Sequence, residues 1–198
     1  MSITLNPRAT GGVTTWAMMP GVRGDALFAG EQLEHRLWLE RRWDDLLGKT
    51  DDYALWLGMN PSRARSDVDD LTIRKEQVFT GNVLKLQRMY KVNVGTYCCT
   101  NPAELPGDVP LMHHENFRTI MDLATKARVV VIATGMPPRV LRKDADGIFS
   151  AMLSFWGIKP ICLGYAETGW PRHPSRLSYS TPFQPFTWPR PLTSMGKI

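Results

Sequence analysis

The chain is poor in cysteine: Cys98, Cys99 and Cys162 are the only three in 198 residues, and no Cys-x-x-Cys or His-x-x-x-His pair occurs. That pattern gives no support to a disulfide framework or to a metal site of ordinary spacing. Adjacent Cys98 and Cys99 on a strand would point to opposite faces, so thiols buried in a reducing compartment are expected. Long apolar runs are missing as well. No segment approaches the ~18 to 20 continuous apolar residues that span a bilayer, and the first residues lack the basic and apolar regions of a signal peptide. The expectation is a cytoplasmic protein with no membrane partner. A strong charge bias is also absent, since 24 Lys and Arg against 19 Asp and Glu leave a formal charge of +5. Such an excess is compatible with a polyanionic partner and favours nucleic acid only weakly.

What is present is a succession of short apolar runs and helical stripes, enough for one core in a chain of this length. Residues 1–12 hold Pro, Gly, Asn and Thr without an apolar period and read as a flexible arm. Residues 13–180 read as a single α/β domain, and the Pro-rich stretch 181–198 as an irregular tail. Val13 to Met19 and Ala26 to Ala29 suggest a hairpin, and Glu34 to Trp43 leans toward a strand. Leu55 to Gly58, Val92 to Cys99, Val129 to Ala133 and Ile161 to Gly164 read as core strands. Between them lie three helices. The first is capped by Asp69 or Asp70 and carries Phe79, Val83, Leu86 and Tyr90; the second runs from Glu115 to Ala127; the third bears Phe149, Met152, Leu153 and Trp156. Alternation of this kind predicts a mainly parallel central sheet between helical layers, a three-layer α/β/α sandwich.

The most telling fragment is Leu55-Trp56-Leu57-Gly58-Met59-Asn60-Pro61-Ser62, an apolar strand that stops at a polar loop. Pro61 biases Asn60 toward extended geometry, which holds its amide at the strand tip. A similar transition follows Pro160 to Gly164 and leads into Gly169-Trp170-Pro171-Arg172-His173-Pro174-Ser175-Arg176. In a parallel sheet, loops at the carboxyl ends of strands meet, so Asn60, Ser62, Asn101, Thr134 and His173 are expected to line one crevice. Arg63, Arg65 and Arg74 cluster around the first loop and are candidates for phosphate contact. Asp67, Asp69 and Asp70 allow either a helix cap or a divalent-cation site, and the cap is favoured.

Gly58-Met59-Asn60-Pro61 and His173-Pro174-Ser175 together resemble the first and last motifs of the uracil-DNA glycosylase superfamily, most closely its mismatch-specific branch, which has Asn where others have Asp. Ser62 departs from that branch, which usually has Gly there. A resemblance covering more of the chain is to the family catalogued as domain of unknown function 1643. It rests on Arg36-Leu37-Trp38-Leu39-Glu40-Arg41-Arg42-Trp43, Asn60-Pro61-Ser62, Asp69-Asp70-Leu71-Thr72-Ile73-Arg74 and Gly169 to Pro174.

The glycosylase resemblance implies a uracil-DNA glycosylase-like fold acting on DNA or a nucleotide without a cofactor or metal. Asn60 would position a water at the anomeric carbon and His173 would stabilise the departing base. Gly58, Met59, Pro61, Ser62, Asn101, Thr134, Ser175 and Arg176 would bind substrate, with Arg63, Arg65 and Arg74 on the DNA. Two alternatives stay open at this point: a transferase or lyase of modified-base synthesis, and a non-catalytic DNA binder.

Overall fold

The computed structural model describes residues 8–10, 13–43, 51–101, 105–106 and 110–189. In chain order the strands and helices are β1 (Arg8–Thr10), β2 (Val13–Ala17), β3 (Val22–Ala29), β4 (His35–Trp43), β5 (Ala54–Gly58), β6 (Val68–Asp69), α1 (Leu71–Val78), β7 (Arg88–Asn93), α2 (Asn116–Ala124), β8 (Val129–Ile132), α3 (Arg142–Ser150), β9 (Ile161–Cys162) and β10 (Gln184–Pro185). Short π-helical turns extend α1 over Phe79–Val83 and α3 over Ala151–Phe155, and Pro174–Arg176 forms a 3-10 turn. No helix among the described residues is long and apolar enough to cross a membrane.

The fold is mixed α/β, with one large sheet in the order β10-β9-β8-β5-β7-β4-β3 and a small one in the order β1-β2-β6. The large sheet is mixed, where a mainly parallel one was expected. Strands β9, β8, β5 and β7 run parallel, but β4 and β3 at one edge and β10 at the other pair antiparallel. The reason lies in the connections. The parallel pairs are each reached through a helix-bearing crossover, whereas β3 turns back into β4 through a short loop with positive φ at Gly30 and Leu33.

Burial explains why β5 is the pivot. All five of its residues are buried, which is the pattern of a strand covered on both faces. Leu55 and Leu57 pack in the cluster holding Ile120 and Met121 of α2 and Ile148 and Phe149 of α3. Ala54 and Trp56 face the other way, against Phe79 beyond α1 and Met89 of β7. From β5 the chain moves to β7 on one side, then crosses to β8 and β9 on the other. The strand order therefore reverses at β5, the position where open α/β sheets leave a crevice.

Several local expectations change. The first helix ends at the π turn, so Leu86 and Tyr90 are not on it, and Tyr90 lies in β7; Val83 is exposed. The next strand is β7, earlier than Val92–Cys99, because the residues after Asn93 leave the sheet to pin the Asn60 loop. β2 and β3 do not pair as a hairpin; β2 joins β1 and β6 in the small sheet. Arg8–Thr10 within the presumed arm forms a strand, while residues 1–7 and 11–12 lie outside the described set. In the tail, Gln184–Pro185 pairs with β9 and Phe186 is buried, with 190–198 outside the described residues. Cys162 is buried, whereas Cys98 and Cys99 are half-buried.

Arg41 ties the small sheet to the large one. Fully buried, it donates through Nε to Asp69 Oδ1 at 2.8 Å and through its other nitrogens to the Glu40, Arg65 and Val68 carbonyls. Asp69 Oδ2 also accepts from Gln77, so the buried charge pair is multiply hydrogen-bonded.

Candidate functional site

At the carboxyl ends of β5, β7, β8 and β9 the structure leaves a cleft of about 950 Å³. Of the residues predicted from sequence, Gly58, Met59, Asn60, Ser62, Thr134, His173, Ser175 and Arg176 line it. Pro61, Asn101, Arg63, Arg65 and Arg74 do not. Pro61 is buried under the loop, where its carbonyl accepts from Cys99 N, and Asn101 is exposed beyond it. Arg63 donates to Thr100 Oγ1, Arg65 lies over the Phe28 ring, and Arg74 bonds the Ala17 carbonyl while covering Trp16.

The Asn60 loop is anchored by backbone bonds, with Gly95 N donating to Met59 O at 2.8 Å and Val94 N to Gly58 O at 3.0 Å. The Asn60 amide then has a defined sense. Its Nδ2 donates to the Cys99 carbonyl at 2.6 Å and to the Pro61 carbonyl at 3.3 Å, so Oδ1 is the atom left to accept from a ligand or water.

His173 precedes the Pro174–Arg176 turn in extended geometry. Its Nδ1 accepts from the Ser175 backbone N–H at 3.3 Å and lies 2.8 Å from Ser175 Oγ. With Nδ1 occupied as an acceptor, the neutral ring carries its proton on Nε2. Burial, with the charges of Lys91 and Arg176 beside it, pushes the imidazole down to about 4. It is therefore a neutral N–H donor at neutral pH. Gly135, at φ +66°, lets the chain turn close by: a Cβ there would stand 3.1 Å from His173 Cβ.

The floor of the cleft contains groups the sequence reading did not assign. Lys91 and Asn93 alternate along β7 onto this face, and Lys91 is buried against Glu76 of α1 at 2.5 Å. Burial holds the Glu76 carboxyl above its ordinary range, against the pull of Lys91. A signal for them existed in Lys91-Val92-Asn93, where two polar residues flank an apolar one at strand period, but the helical spacing of Leu86 and Tyr90 obscured it.

Arg36 reaches the same cleft because of a β-bulge. The β3–β4 register shifts at Leu27 and Phe28, which pair with Trp38 and Arg36, so Leu37 is the extra residue and Arg36 is turned onto the cleft side. Its guanidinium donates to Ala64 O at 3.0 Å and to Asn93 Oδ1 at 3.1 Å. Asp70 caps α1 by accepting from Ile73 N at 2.9 Å and also lines the cleft. Asp67 is exposed and Asp69 is bound to Arg41, so the three carboxylates are not gathered at one point.

The arrangement offers one fixed acceptor, one neutral donor and a basic floor. It offers a polar group bound in the cleft an acceptor at Asn60 and a donor at His173, the latter able to stabilise negative charge developing beside it.

No curated protein and no solved structure matches the chain. Residues 36–175, well over half of the sequence and spanning every residue predicted for the cleft except Arg176, match the family described as "Protein of unknown function (DUF1643)", and the chain belongs to that family.

Proposed function

We propose that this protein acts on a nucleobase at its N-glycosidic bond, in the manner of the uracil-DNA glycosylase superfamily. The sheet with helices on both faces is, in this reading, a three-layer sandwich of that type. The observation that carries it is the opposed polarity of two side chains on one cleft: the Asn60 carbonyl oxygen accepts, and the neutral His173 Nε2–H donates.

Asn60 orients a water toward the anomeric carbon. The amide has no proton-accepting capacity near neutral pH, so the water's proton passes to solvent as its oxygen bonds to carbon. The carbon–nitrogen bond breaks and its electron pair moves onto the base. His173 Nε2–H hydrogen-bonds the base oxygen on which that charge collects, and a neutral donor already in place requires no proton rearrangement. No cofactor enters these steps, and a cytoplasmic setting belongs to the same reading.

Mass spectrometry of products after incubation with nucleotides and DNAs carrying different modified bases tests the proposal. Release of a free base, lost in Asn60→Ala and His173→Ala, is the expected result. A base altered in place, or tight binding with no product, would replace hydrolysis by modification or by recognition alone.

A further inference from the structure

The first turn of α1, Leu71, Thr72 and Ile73, lines the cleft. In any helix the first N–H groups have no intrahelical acceptor; here Asp70 takes that of Ile73, which leaves the Leu71 and Thr72 N–H groups at the positive end of the helix dipole. Beside them is Arg36, only 2 % exposed, with Nε lacking any hydrogen-bond partner. A buried guanidinium with an unsatisfied N–H, turned onto the cleft by a bulge, is a second and separate indication of an anionic partner. The Asp70 carboxylate is held by the helix it caps and faces Arg36, so its charge is locally compensated.

The arginines expected to follow a DNA strand, Arg63, Arg65 and Arg74, do not themselves line the cleft: Arg63 donates to Thr100 Oγ1, Arg65 lies over the Phe28 ring and Arg74 bonds the Ala17 carbonyl. Trp16, held by the β2–β6 pairing with Asp69 and by the Arg74 guanidinium 5.2 Å from its ring centroid, forms a wall of the cleft. A volume of about 950 Å³ is that of a small-molecule site.

We propose that the first turn of α1 and Arg36 form a phosphate subsite, and that the cleft takes a free nucleoside monophosphate in preference to a base extruded from a DNA strand. This inference rests on the base-binding reading above and adds to it a substrate class. The base lies between Asn60 and His173, and the 5′-phosphate meets the N–H groups of Leu71 and Thr72, the Thr72 hydroxyl and Arg36.

Isothermal titration calorimetry with the four common nucleoside 5′-monophosphates, the matching nucleosides, inorganic phosphate and a single-stranded oligonucleotide tests it. The monophosphate is expected to bind about tenfold tighter than its nucleoside, the increment of one charge-assisted hydrogen bond, with inorganic phosphate competing. Leu71→Pro removes one N–H at the first helical position, which tolerates proline, and Asp70 is already extended as a residue before proline must be. That variant should lose the phosphate advantage and keep its affinity for the nucleoside; Thr72→Val, which removes only the hydroxyl, should lose part of it. Equal affinity for nucleoside and monophosphate, or preference for the oligonucleotide, overturns the subsite and leaves the base reading standing. Failure of every nucleoside and nucleotide to bind overturns both.

Discussion

Gly58 and Lys91 confront each other across the parallel β5–β7 pair: a Cβ built on Gly58 would stand 2.6 Å from Lys91 Nζ and 2.7 Å from Asn93 Nδ2. Glycine is therefore required by the side chains beside it, with no demand from its own backbone angles. Lys91 cannot retreat without leaving Glu76, whose carboxyl is wholly buried. Gly58→Ala should cost about 1 to 3 kcal/mol, the usual penalty of overpacking, read from urea unfolding. A neutral substitution would show that the lysine is not held where the Glu76 contact places it.

Asn60→Ala should lower kcat by about 10²- to 10³-fold, because the oriented acceptor is lost while most substrate contacts remain. Nucleotide affinity should change far less. Single-turnover kinetics beside calorimetry separate the two quantities, and full activity in the variant would remove Asn60 from the mechanism.

His173 sets a pH dependence whose sign follows from its lowered value. Folded His173 titrates at about 4 against 6.5 when unfolded, so the unfolded chain binds the proton first as pH falls. Its contribution is complete above about 6.5 and is lost progressively down to about 4, by up to about 3 kcal/mol. Urea midpoints at several pH values should fall more steeply in the native protein than in His173→Asn between these limits. The acid limb of the rate should lie near 4; a limb near 6.5 would mean that the ring is not held neutral by its surroundings.

Asp70 combines a cap with a charge facing Arg36. Asp70→Ser keeps a capping oxygen and Asp70→Ala does not, so the two variants should differ by about 1 kcal/mol in unfolding free energy. Both should also fall below the native protein, since each leaves the buried Arg36 guanidinium without its nearby carboxylate. Equal stability of the serine variant and the native protein would mean that Asp70 acts as a cap alone.

Much of the fold and part of the cleft were legible in the sequence. The apolar run ending at Gly58-Met59-Asn60-Pro61 marked a buried strand and its polar loop, because burial on both faces leaves a continuous apolar signature and proline fixes the exit. The Asp70 cap and the loop carrying His173 were local features of the same kind, set by a few neighbouring residues. The rest depended on residues distant in the chain. The Leu37 bulge that turns Arg36 onto the cleft exists only when β4 pairs with β3, and Lys91 became part of the floor only through the glycine across the sheet and Glu76 on a helix. Antiparallel edges on a parallel core were likewise decided by strand pairing, which period-two patterns do not encode. Arginines 63, 65 and 74 looked alike as cations in sequence. Tertiary contacts gave each a carbonyl, a hydroxyl or an aromatic ring as partner and left none of the three lining the cleft, because a guanidinium is placed by the partners within its reach and its charge alone does not say which those are.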